Sequence, residues 1–227
     1  MENIVRVAVD GPSGAGKSTI AKAVAAALGY EYIDTGAMYR AIGYGMLREG
    51  ISCDPADRER LQAFLDDAEV DFVNGHVCLN GEDIADRIRT AEISKIASDC
   101  SAIDIVRAKL VAEQRAMGGK KSLVMDGRDI GTNVFPDAEY KFYLTASAEA
   151  RAKRRLNDYV EASKKTGADV PPFETVLAEI ERRDYNDMHR ALNPLTQAED
   201  AILIDSTEKN VGETIVAFLD ILTKQAE

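Results

Sequence analysis

Gly11-Pro12-Ser13-Gly14-Ala15-Gly16-Lys17-Ser18 satisfies the pattern G-x-x-x-x-G-K-[ST], and no other segment restricts the fold of this chain so tightly. The pattern needs a strand before it and a helix after it. Ile4 to Val9 is a short apolar, β-branched run that ends at Asp10, and Lys17 to Leu28 carries apolar residues at helical spacing. Glycines let successive backbone N–H groups turn inward around phosphate oxygens, and the helix N-terminus adds partial positive charge. Residues Gly11 to Thr19 are therefore the candidate nucleotide-binding segment. Within it, Lys17 would reach the β and γ phosphates and the Ser18 hydroxyl could ligate magnesium.

Further along the chain, the first strand and helix extend into a fold. Gly29 closes the helix, Tyr30 to Ile33 reads as a second strand, and Ala37 to Arg48 reads as a second helix before the break at Gly50. Ser122 to Met125, Tyr140 to Leu144 and Ala201 to Ile204 read as further strands, with helical patterns between and after them. The expected class is α/β: a P-loop NTPase-type parallel sheet flanked by helices. Two segments break the rhythm. Val70 to Val73, the turn Asn74-Gly75 and Val77 to Leu79 predict a β-hairpin, hence an inserted small β-containing subdomain. Leu156 to Pro172 is polar, carries Gly167 and Pro171-Pro172, comes after the basic run Arg151 to Arg155, and reads as a mobile helix-and-loop excursion.

Composition narrows the function classes. With 45% hydrophobic and 30% charged residues, 227 residues can bury the core of one or two compact domains. A formal net charge of -11 gives the wrong field for nonspecific binding to nucleic acid or acidic membranes. The longest mostly apolar stretch, near Ala23 to Leu28, is far short of the roughly 18 residues of a membrane span, and Met1 to Val9 lacks the charged-then-apolar order of a signal peptide. A cytoplasmic protein without membrane or nucleic-acid partners is expected. Cys53, Cys78 and Cys100 form no C-x-x-C pair and read as buried free thiols. His76 and His189 are the only histidines, too few for a zinc site or a histidine-dependent triad.

Asp126 ends the strand Ser122 to Met125, where an open α/β sheet delivers residues to a ligand crevice, and so reads as a Walker-B-like acid that holds Mg²⁺ directly or through water. The phosphate loop leaves GTPases, motor or transport ATPases and small-molecule kinases open. An N-K-x-D guanine reader is absent from the sequence, and helicases and transport ATPases usually need more chain. The arginines favour a kinase: Arg40, Arg128, Arg151, Arg154, Arg155, Arg182, Arg183 and Arg190 gather near strand ends or in the polar excursion of an acidic chain. Phosphoryl transfer between two nucleotides brings together more negative charge than one divalent cation neutralises, and guanidinium forks match phosphate oxygens.

Three further segments, Asp34-Thr35-Gly36-Ala37-Met38-Tyr39-Arg40, Asp126-Gly127-Arg128-Asp129-Ile130-Gly131-Thr132 and Arg183-Asp184-Tyr185-Asn186-Asp187-Met188-His189-Arg190, together with the phosphate loop, resemble the bacterial cytidylate kinases over essentially the whole chain. The resemblance implies one P-loop kinase domain over 1–227, with a monophosphate-binding subdomain inserted over approximately 35–105 and a lid over approximately 151–172. It implies that Thr35 and Tyr39 line the acceptor pocket and that Arg40 and Arg128 hold the CMP phosphate. Ser98, Arg107 and Asp129 would surround the cytosine, and Arg183, Asp187 and Arg190 would bridge sugar and phosphate. Arg151, Arg154 and Arg155 would close over ATP. Ser18 stands where many nucleoside monophosphate kinases have glycine, which adds a magnesium ligand, and Thr35 stands where some relatives have serine.

The resemblance further implies ATP-dependent phosphorylation of CMP and dCMP by in-line transfer with Mg²⁺, catalysed by Lys17, Arg40, Arg128, Arg154 and Arg190 in a monomer. A kinase for another small acceptor and a nucleotide-binding regulatory protein remain the alternatives.

Overall fold

The computed structural model describes residues 4–224; Met1 to Asn3, which begin the Met1 to Val9 reading, and Gln225 to Glu227 lie outside the described residues. Five parallel strands form the main sheet: β1 (Arg6–Asp10), β2 (Glu31–Asp34), β6 (Leu123–Asp126), β7 (Tyr140–Thr145) and β8 (Ile202–Asp205), in the order β2-β6-β1-β7-β8. β1 lies at the centre, with Val9 paired to Asp126 on one side and Phe142 on the other. The phosphate loop and Asp126 thus leave the sheet side by side at its carboxyl edge.

Because side chains alternate across a strand, each strand feeds two cores. Val7, Val9, Val124, Phe142 and Leu144 pack with α1 (Lys17–Leu28) and α8 (Val211–Lys224). Ala8, Leu123 and Met125 face the other way, against α2 (Thr35–Arg48) and α5 (Asp104–Gly118). The strands are apolar on both faces for this reason, as a parallel sheet covered by helices requires.

α1 runs between the residues expected from its spacing, and Gly29 ends it in the left-handed conformation with its N–H directed at Ala25 and Ala26 carbonyls. α2 starts two residues earlier than its apolar pattern, because the Asp34 carboxylate accepts from the Ala37 N–H at 2.9 Å and caps the helix.

The expected hairpin is present as β3 (Val70–Val73) and β4 (His76–Leu79), turned at Asn74 and Gly75, both with positive φ. A second turn, Asn80-Gly81, also with positive φ, adds the short β5 (Glu82–Asp83). Val70, Val77 and Leu79 join the same core cluster as α2 and the main sheet. Beside them are α3 (Arg58–Asp67) and α4 (Ala91–Cys100), the latter packed along α2.

The polar excursion is more regular than its composition suggests. α6 (Ala148–Thr166) is one helix of 19 residues, capped by Ser147 and ended by Gly167, and α7 (Phe173–His189) returns alongside it. Ala152, Leu156 and Tyr159 pack against Val176 and Ile180. The loop part therefore shrinks to residues 167–172, since the sparse apolar stripe of α6 has a partner stripe on α7. Of the three cysteines, Cys78 and Cys100 are buried as expected, while Cys53 is exposed in the turn before α3. Among the described residues no helix is long and apolar enough to cross a membrane.

Candidate active site

A cavity of about 660 Å³ opens at the carboxyl edge of the main sheet, running from the phosphate loop to α4. Gly11 starts the loop at φ 145°, where a Cβ would sit 2.0 Å from the Leu144 carbonyl oxygen. No side chain other than hydrogen fits there, so β1 can turn directly over β7 into the loop. Gly16 precedes α1 in the left-handed conformation without any side-chain cap, which leaves the first N–H groups of the helix free for an anion. Ser13 to Thr19 line the cavity, whereas Gly11 and Pro12 lie behind its wall.

Lys17 is buried, and its ammonium donates to the Pro12 carbonyl at 2.8 Å. Burial, and after it repulsion from Arg128, lowers its pKa to about 7. Ser18 Oγ donates to Asp126 Oδ2 at 3.1 Å, and Tyr32 donates to Asp126 Oδ1 at 2.8 Å. Burial and the neighbouring Asp34 raise the Asp126 carboxyl to about 6. A hydroxyl beside a carboxylate, both oxygen donors, suits Mg²⁺, which takes one or two protein ligands and completes its shell with phosphates and water. Among the described residues no group of three His, Cys, Asp or Glu side chains could hold a metal ion.

Four arginines, Arg40, Arg128, Arg183 and Arg190, line this cavity. Arg40 is held by Asp34 at 3.0 Å, and Arg128 by Asp187 at 2.8 Å. Arg183 has a buried Nε with no protein partner, and burial together with the nearby Arg128 lowers its pKa to about 10. Arg190 reaches Asp129 and, at 2.7 Å, the Asn193 carbonyl. These four guanidiniums line one wall, where an anion would relieve their mutual repulsion.

At the α4 end the cavity is lined by Tyr39, Ser98 and Asp129; Thr35 also lines the cavity and donates to the Asp126 carbonyl at 2.8 Å. Burial pushes the Tyr39 hydroxyl up to about 12. Arg107 is buried and does not line the cavity; it donates to Asp129 and lies 5.8 Å from the Tyr39 ring centre. It thus holds Asp129 from behind.

The three arginines of α6 divide. Arg154 and Arg155 line the cavity, Arg154 donating to the Ser206 hydroxyl at 3.2 Å and Arg155 lying 5.7 Å from the Tyr159 ring centre. Arg151, expected over ATP, is instead buried outside the cavity wall, with its guanidinium bonded to protein groups.

The sequence motifs leave out another stretch of wall: Ser206, Lys209, Asn210 and Thr214 line the end of the cavity beyond the phosphate loop. They come after β8, so the rule that ligands sit outside the carboxyl ends of parallel strands could have found them. Asp10 is also absent from those motifs. It is buried at the end of β1 and accepts from the Ile130 and Gly131 N–H groups at 2.8 and 2.7 Å, fixing the turn that carries Arg128 and Asp129.

A family model described as cytidylate kinase matches residues 7–224. The chain is similar to the cytidylate kinase of Caldicellulosiruptor bescii, with 48% identity over 97% of this chain and 96% of the relative. It is similar to that of Bacillus velezensis, with 45% identity over 100% of each. Among solved structures, TT1252 from Thermus thermophilus aligns over 100% of both chains at 15% identity and a TM-score of 0.50, a likeness of fold alone.

Proposed function

The chain belongs to the cytidylate kinase family, and we propose that its cavity binds ATP at the phosphate loop and CMP at the α4 end, with the arginine wall between them. It is an enzyme that phosphorylates CMP with ATP as donor. dCMP is the second acceptor in this reading. The observation that supports the assignment of the two ends is that Arg40, Arg128, Arg183 and Arg190 line the same cavity as the phosphate loop and Asp129, with Arg128 close enough to Lys17 to lower its pKa and Arg190 bonded to Asp129.

The CMP phosphate is a competent nucleophile at neutral pH, so no general base is needed. One of its oxygens forms the new bond to the γ-phosphorus of ATP as the bond to the β-phosphate oxygen breaks, giving CDP and ADP. Lys17 would leave the Pro12 carbonyl for the transferring group, and Arg128 and Arg190 would offset the charge that spreads over it. Ser18 and Asp126 would hold Mg²⁺, which would supply positive charge against the donor phosphates. Arg40 would grip the acceptor phosphate and Asp187 the ribose, while Asp129, braced by Arg107, would accept from the cytosine amine beside Ser98. Ser206, Lys209 and Asn210 would lie against the donor nucleoside, with Arg154 and Arg155 above its phosphates.

Residues 35–105 would act as the acceptor-binding subdomain and residues 151–172 as the lid that excludes water. One chain supplies both ends of the cavity, which supports a monomer as the working unit, and a net charge of -11 argues against a polyanionic partner. A cytoplasmic location suits an enzyme that consumes ATP.

The test is ADP release measured with CMP, dCMP, UMP, AMP and GMP, with shikimate and gluconate as other acceptors and a control lacking acceptor. The expected order is CMP and dCMP well above UMP, with the others at background. Release that is independent of any acceptor would support a nucleotide-binding regulatory protein instead.

A further inference from the structure

We propose that Arg151 is a positioning residue that fixes α7, and with it the arginine wall, relative to the phosphate loop. Its guanidinium donates from Nε to the Ala146 carbonyl at 2.9 Å, from Nη1 to the Ser13 carbonyl at 3.0 Å, and through both terminal nitrogens to Asp184, at 3.0 and 2.6 Å. Ser13 belongs to the phosphate loop, Ala146 lies just beyond β7, and Asp184 is on α7. One planar group, 4% exposed, therefore joins three segments that the chain itself does not join locally. A Cβ on Gly14 would already stand 3.4 Å from the Arg151 Cβ, so the phosphate loop rests directly on this side chain.

The consequence for catalysis comes from what surrounds Asp184. Arg183 precedes it on α7, and Asp187, one turn further, accepts from Arg128. Residues three apart lie on neighbouring parts of a helix surface, so a shift of α7 carries Arg183, Asp187 and the Arg128 contact together. The terminal Arg190 moves with them. Donor phosphates bind one side of this joint and the acceptor contacts sit on the other. Misalignment of reacting groups by about 1 Å costs on the order of 10²-fold in rate. A lysine would retain the charge of Arg151 but not the planar fork that reaches all three acceptors.

This inference rests on reading the cavity as a site for two nucleotides. It differs from a direct phosphate contact in what it predicts: loss of the joint disturbs alignment between the nucleotides rather than the hold on either one. It also differs from a purely structural ion pair, whose removal would lower the amount of folded enzyme without changing the turnover of what remains folded.

The experiment uses Arg151→Lys, Arg151→Gln, Asp184→Asn and the double variant R151Q/D184N. Steady-state kinetics with CMP and ATP and Mg²⁺ are referred to the folded fraction from urea unfolding. Each single variant should lose at least about 30-fold in kcat while KM for ATP and for CMP stays within about threefold. The double variant should lose little more than the worse single variant, since both remove the same joint. Should Arg151→Gln fail to fold, Asp184→Asn, which keeps side-chain shape, carries the same test.

A kcat within about threefold of the parent chain in the folded variants would overturn the proposal. So would a loss confined to KM for ATP, which would make Arg151 a direct nucleotide contact, or losses that multiply in the double variant. Failure of the parent chain itself to phosphorylate CMP would overturn the two-nucleotide reading instead.

Discussion

Arg190 donates to one oxygen of Asp129 at 2.9 Å, while Arg107 donates to the other, which also accepts from the Asn133 amide at 3.1 Å. Asp129 is thus both the carboxylate at the α4 end of the cavity and the neutralising bridge between two guanidiniums. Any base that donates to it adds to a cluster that is already charged and buried.

Asp129→Asn should consequently damage the reaction in two ways. The amide keeps the shape but loses the charge that two arginines face, and charge-assisted hydrogen bonds contribute about 1.5–3 kcal/mol each. We expect kcat/KM for CMP to fall at least about 10²-fold and that for UMP only about tenfold, because the uracil O4 no longer meets a carboxylate. Parallel kinetics on the two acceptors decide it: equal losses would restrict Asp129 to the arginine cluster and move base reading elsewhere.

Lys17→Met should separate catalysis from folding. The ammonium is buried with one hydrogen-bond acceptor, the Pro12 carbonyl, so its removal relieves a desolvation cost and the repulsion from Arg128, which offsets the lost attraction to Asp126, Asp187 and Asp10. Turnover should drop at least about 10²-fold, as for loss of one electrostatic stabiliser. The urea midpoint should stay the same or rise. Near-normal turnover would sink the role given to this lysine.

Much of this architecture is legible from local chemistry. The phosphate loop, the limits of α1 and the Asn74-Gly75 turn each rest on residues that allow few backbone conformations. β5 is harder, although Asn80-Gly81 repeats the same turn signal, because a strand of two residues carries no periodicity. The continuity of α6 is hidden for a related reason: its polar face dominates its composition, and the apolar stripe gains meaning only opposite α7. The role of Arg151 is not readable at all from a basic run in which Arg151, Arg154 and Arg155 look equivalent. What separates them is position along α6: the three share one face of the helix, but Arg151 in the first turn is buried beneath the phosphate loop, and Arg154 and Arg155, one turn further on, line the cavity. Conversely Asp10, Ser206 and Asn210 are within reach of the strand-end rule, yet none lies in a distinctive motif that would draw attention to it.

Nucleotide binding should change hydrogen exchange unevenly along the α6–α7 hairpin. The base of α6 is anchored: Ala152 is fully buried against Val176 and Ile180, and Arg151 is tied to Asp184. Its far end is different, since residues 161–162 and 164–171 are mostly exposed and the loop after Gly167 rests on no apolar cluster. Exchange there proceeds through low-cost local opening, which phosphate contacts from Arg154 and Arg155 would suppress by holding the helix down. With ATP and CMP analogues bound together, amides over about 155–171 should slow clearly, whereas those near 150–153 should change little because they are already protected. Either analogue alone should give a smaller effect. Unchanged exchange over 155–171, with slowing in the phosphate loop of the same sample, would mean that this hairpin does not close over the nucleotides, and the lid would have to be sought in the segment around Ser206 to Asn210.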